Sequence, residues 1–249
     1  MGHLIPLLEG GLIFLTLEIF LFKPVWLVYV VLGLTLFIVL GMLVPKKRFL
    51  GGREFWHYLS GPLIFVWSSI LLLLFFENIF FKHFFILGVA VYIFFYFENL
   101  FYYLVSGGKE SSESFLRMTN MLGVVSIFFL AAGLYGVKTF IQLPIWLLNI
   151  IFFIFSAGLI YGSLWIIKQK FREVLWEVFI VALIISEFFL VIHFLPIGFY
   201  AGGAIVGVFY YIVAGILTNY LKNKQIPYKR YVITGLILLF VIVLTARWV

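Results

Sequence analysis

The chain has 249 residues, of which 65% are hydrophobic, 21% aromatic and 11% charged, with a net charge of +7 and no cysteine. Soluble domains run about 45–50% apolar and about 25% charged, and one of this length lacks the interior to hide so much apolar surface. These values exclude a soluble globular domain, a disordered chain, a collagen-like repeat and a disulfide scaffold, and leave an integral membrane protein.

A helix needs about 20 apolar residues to cross about 30 Å of hydrocarbon. Polar breaks divide the chain into nine such stretches: 4–22, 25–44, 62–81, 84–105, 119–137, 143–167, 174–194, 197–221 and 231–249. The runs are continuously apolar rather than alternating, which argues for helices and against a β-barrel. The expected fold is an all-α polytopic helix bundle forming a single transmembrane domain over residues 1–249.

The first span carries Glu9 and Glu18 and stops at Lys23-Pro24, where a proline at the start of the next helix costs little. The segment 45–61 mixes bases with Phe55, Trp56 and Tyr58. It reads either as a topology anchor or as a short helix lying in the headgroup layer. The third and fourth spans are separated at Lys82-His83. They carry a local repeat, with Phe75-Phe76-Glu77-Asn78-Ile79-Phe80-Phe81 echoed by Tyr96-Phe97-Glu98-Asn99-Leu100-Phe101-Tyr102. Weak internal repeats of this kind occur in transporters and also arise by chance in Phe-rich sequence. A polar loop is expected over 106–118. In the later spans Gly158-x3-Gly162 and Gly203-x3-Gly207 have the small-residue spacing that lets helix backbones approach. The glycine-dense stretch 198–207 also reads as a broken helix lining a path.

Sorting the bases tests the segmentation. With the N-terminus cytoplasmic, the inside positions hold Lys46, Lys47, Arg48, Arg53, Lys109, Arg117, Lys168, Lys170, Arg172, Lys222, Lys224, Lys229 and Arg230. The outside positions hold only Lys23, Lys82, Lys138 and Arg247. That alternation is the positive-inside pattern, and it places the C-terminus outside. The net charge then suits anionic headgroups on the cytoplasmic side and gives no reason to expect nucleic acid. The expected location is a membrane, the cytoplasmic one in a prokaryote. Membrane-protein partners or further copies of the chain are the other partners such a surface would take.

No cofactor motif stands in the sequence, and no cleavable signal peptide is expected, because no basic residue precedes the first apolar run. Every acid is one of ten Glu. An ionisable group inside a span costs about 2.5–3.5 kcal/mol on insertion scales and is by default a functional candidate. Counting along the helices at 1.5 Å per residue, Glu98 and Glu187 lie about 10 Å from the nearest span end, while Glu18 and Glu77 lie about 6 Å from theirs. Glu9 and Glu177 fall near the cytoplasmic edge. The proton- or cation-binding candidates are therefore Glu98 and Glu187, then Glu77 and Glu18, with Asn78, Asn99 and Asn149 as polar groups along a path. The competing reading makes each Glu a hydrogen-bonding group in helix packing. Glu77 with His83, and Glu187 with His193, share a spacing that weakly suggests a metal site. Six residues is not one helical face, so no metal is assigned. Three functions stay open: a small proton- or cation-coupled transporter or permease, a non-catalytic membrane subunit or scaffold, and a membrane enzyme acting on a lipid or isoprenoid.

Overall fold

The structure is a computed structural model that describes residues 4–49, 52–106, 108–167, 171–223 and 228–245. Among the bases that sort the loops, Lys168, Lys170, Lys224 and Arg247 lie outside the described residues. So do the side chains of Lys46, Lys47, Arg48, Arg53, Lys109, Arg172 and Arg230. Among the described residues there are nine α-helices and no strand: α1 (Leu4–Phe22), α2 (Leu27–Phe49), α3 (Gly52–Leu73), α4 (Ile79–Ser106), α5 (Lys109–Ile141), α6 (Ile145–Ile166), α7 (Phe171–His193), α8 (Phe199–Asn223) and α9 (Tyr228–Thr245). Eight of them are long and apolar enough to cross a membrane, and the chain is an integral multi-pass membrane protein. In the ninth, the apolar stretch Tyr231–Thr245 is shorter than the other eight.

The chain forms two compact units, residues 1–119 and 120–249, with the division falling inside α5. In the first unit α1 packs on α2 and α4, α2 on α3 and α4, and α3 on α4. The buried side of α1 is Pro6, Glu9, Gly10, Ile13, Leu17 and Phe20. That of α2 is Val30, Leu34, Ile38 and Met42. Both sets recur every three or four residues and so make one stripe along each helix. Between the two helices, Lys23 lies 4.7 Å from the Trp26 ring centroid in a 3-10 turn over Pro24–Trp26.

The third span sits upstream of its expected place. The sequence reading puts it at 62–81 with a break at Lys82-His83, but α3 starts at Gly52 and ends at Leu73. Of the segment 45–61, residues 55–61 belong to the stretch of α3 long and apolar enough to cross a membrane, with Phe55 and Tyr58 buried. The break moves because Asn78 caps α4: its Oδ1 accepts the Phe80 N–H at 2.8 Å. Pro62 lies within α3. A proline has no N–H for the carbonyl four residues back, here that of Tyr58. The Tyr96 hydroxyl of α4 donates to that oxygen at 3.0 Å, and both residues are buried. Tyr58, Tyr96 and Tyr103 pack around the Phe115 ring, with centroids 5.8, 5.5 and 5.2 Å away.

The fifth helix also exceeds its expected span of 119–137. Its 33 residues begin at Lys109, where a loop is expected, and run about 50 Å, well beyond the hydrocarbon core. Glu110 in its first turn complements the positive end of the helix dipole. Gln142, with φ of 60°, ends the helix, and Pro144 stands before α6.

In the second unit α7 packs on α6 and α8, and α8 on α6 and α9. Its core holds three near-parallel rings. Tyr135 of α5 and Phe152 of α6 stack on opposite sides of Phe189 of α7, with centroids 4.5 and 4.4 Å apart. The Tyr135 hydroxyl donates to the Phe189 carbonyl at 2.7 Å, so a polar atom in the core is satisfied. The α8 helix is continuous through Gly202, Gly203 and Gly207, so the glycine-dense stretch is not a break.

Candidate functional site

The candidate site lies in the first unit and is built around Glu9. Its position on α1 is in phase with Pro6, Ile13 and Leu17, so helical geometry turns the carboxyl toward α2 and α4 rather than toward lipid. Gly41 of α2 stands opposite. A Cβ there would overlap the Glu9 carboxyl, so the absence of a side chain at 41 is what makes room for the acid. On the neighbouring residue, Gly10, a Cβ would come within 3.1 Å of the Ala90 carbonyl and 3.2 Å of Phe94 Cβ on α4. Two glycines thus draw α1 against both neighbours at the level of the acid.

The outcome is a carboxyl with 5% exposure. Its Oε2 is buried without a hydrogen-bond partner among the described residues. Holding a charge on a carboxyl in such surroundings costs several kcal/mol unless a counter-charge offsets it.

The acids expected from the sequence stand elsewhere. Glu18, toward the other end of α1, is half-buried and pairs with His83 of α4, whose Nδ1 lies 2.9 and 2.8 Å from its two carboxylate oxygens. Glu77 is exposed in the turn before α4, and Asn78 is the helix cap described above. Glu98 is half-buried on α4 and is not without interactions of its own. Beside it, Asn99 donates to the Phe95 carbonyl at 2.9 Å and accepts from the Ser114 hydroxyl at 3.1 Å. The structure therefore gives Asn78 and Asn99 local partners. Within the first unit the repeated Phe-Glu-Asn element occupies two different settings, the α3–α4 connection and first turn of α4 at 75–81 and a helix interior at 96–102.

In the second unit Glu187 is exposed on α7. Asn149 of α6 is half-buried, with its Oδ1 buried and unpartnered among the described residues; the Oε2 of the half-buried Glu177 shares that condition. A Cβ on Gly203 would meet Ala132 of α5 at 2.6 Å, and one on Gly207 would meet Phe128 at 3.1 Å. Gly158 is half-buried and Gly162 buried in α6. His193 borders a cavity of about 120 Å³ with Tyr135, Thr139, Phe199 and Gly202. The two hydroxyls there already donate to backbone carbonyls. Among the described residues no three His or Glu side chains come together as a metal-ligand group.

Sequence reasoning passed over Glu9 because depth was measured along the helix alone. A signal was present in Gly10 beside the acid, since small residues mark close helix approach. Comparison of the chain with protein-family models, curated protein sequences and solved structures finds no match.

Proposed function

We propose that the protein is a small proton- or cation-coupled transporter or permease, and that Glu9 carries the coupling ion. One observation supports this most: a carboxyl inside a membrane bundle, nearly fully buried, with an oxygen that no described group satisfies. Packing alone would favour an apolar side chain here, because an unpaired buried acid destabilises. A group that binds and releases an ion is a reason to keep it. In the proposed topology the basic loops face the cytoplasm and its anionic headgroups, which puts Glu9 about 8 Å from the cytoplasmic end of α1. The proposed location is the cytoplasmic membrane in a prokaryote.

The test is proton flux in liposomes carrying a trapped pH dye, driven by an imposed potassium diffusion potential. The wild type should change the lumenal pH faster than empty liposomes, and Glu9→Gln should slow this at least about tenfold, equivalent to about 1.4 kcal/mol in barrier. Equal rates for Glu9→Gln and wild type, or for wild type and empty liposomes, would remove proton coupling through Glu9.

A second reading, a membrane subunit of a larger complex, is favoured by Glu187. It lies on an α7 face with Trp176, Ile180, Ile184 and Val191, all exposed. A donor on a neighbouring membrane helix would offset the cost of an acid on that face. A stoichiometric partner that copurifies with the wild type and is lost from Glu187→Leu would support it, and a monomer under mild solubilisation would count against it.

A further inference from the structure

We propose that the ion bound at Glu9 is a proton and not a metal cation, an inference that rests on the coupling role given to this carboxyl. Hard cations are held by several oxygens at once, six to eight for Ca²⁺ and an octahedron for Mg²⁺. Among the described residues no hydrogen-bonding group reaches the Glu9 Oε2, so the niche offers the two oxygens of one carboxyl. From α2 it is faced by Gly41, which has no side chain and leaves no room for one. From α4 the close groups are Ala90 and Phe94, packed on the adjoining Gly10.

Other side-chain oxygens on these helices are turned toward other partners. The Tyr92 hydroxyl donates to the Met118 carbonyl at 3.2 Å, and that of Tyr96 to the Tyr58 carbonyl at 3.0 Å. Thr16 and Thr35 each donate to the carbonyl four residues back, at 2.7 Å. Among charged groups on the packed helices, Glu18 and His83 are paired with each other toward the far end of α1. Glu98 stands one turn beyond Phe94 on α4 and has interactions of its own. Lys46, Lys47 and Arg48 follow Gly41 on α2, with side chains outside the described residues. A proton needs none of the missing ligands. It neutralises the acid within the carboxyl's own volume, and it gives the buried Oε2 a hydrogen or leaves it a neutral carbonyl oxygen.

Carbodiimides add to protonated carboxyls in apolar surroundings, so the test is labelling of the full-length protein in liposomes by dicyclohexylcarbodiimide, read by peptide mass spectrometry. Glu9 should carry the adduct, its rate should fall as pH rises, and Na⁺, K⁺ or Ca²⁺ at constant pH and ionic strength should leave the rate unchanged. Glu9→Gln should lose that adduct alone, which assigns the peptide. Protection of Glu9 by any of the three cations would overturn the proposal, as would absence of the adduct at every pH. Intact, cation-insensitive labelling with no proton flux would instead sink the transport role and leave the proton site standing.

Discussion

Gly41 and Gly203 are both too closely packed for a methyl group, yet different atoms stand in the way. At Gly41 the obstacle is the end of the Glu9 side chain, which can swing aside. At Gly203 it is the Ala132 backbone nitrogen and Cα together with its Cβ, on a helix that cannot give locally. Gly41→Ala should therefore leave unfolding in detergent nearly unchanged while displacing the carboxyl, so that carbodiimide labelling of Glu9 and proton flux both fall as in Glu9→Gln. Gly203→Ala should lower stability by about 1–3 kcal/mol, because α5 and α8 must separate or strain. Thermal unfolding of the two variants side by side checks the contrast. The glycine pair at 203 and 207 was legible as a spacing. The role of Gly41 was not, because its partner lies 32 residues away and no periodic pattern links the two.

At the scale of elements, α3 and α4 are coupled through one carbonyl. Removing the Tyr96 hydroxyl takes from the Tyr58 oxygen a donor that stands in for the helical N–H that Pro62 lacks. Tyr96→Phe should cost about 1–3 kcal/mol, the penalty for an unsatisfied buried acceptor. Pro62→Ala supplies the missing N–H, so in that background Tyr96→Phe should cost distinctly less. A double-mutant cycle on unfolding measures the difference, and equal costs in both backgrounds would show that the carbonyl is satisfied some other way. The sequence announced apolar stretches but misplaced the third by about two to three turns at each end. The strongly apolar run 63–76 draws the reading downstream of the weakly apolar 55–62, and a side-chain cap at Asn78 marks where α4 starts. Charge in 106–118 suggested a loop, yet Ser111 and Phe115 are buried on one side of α5, and that packing extends the helix.

At the scale of the whole molecule, the distribution of bases predicts an orientation that a direct experiment can read. The chain has no cysteine, so single cysteines can be introduced into an otherwise silent background. With an impermeant maleimide on sealed right-side-out vesicles, Gln142→Cys should react at once and Glu110→Cys only after permeabilisation. Ala246→Cys should react from outside if α9 crosses, and only after permeabilisation if it does not; the proposed topology requires the first. The sequence by itself determined the solvent of this protein and its helical class, since both follow from composition and from run length against bilayer thickness. It also marked the glycine spacings and most span positions. The tertiary structure alone decided which acid is buried. In a chain apolar on every side, hydropathy carries no information about which face of a helix meets another helix. Glu9 is buried by lateral packing against Gly41, and Glu187, chosen for its depth along the helix, stands on an exposed face.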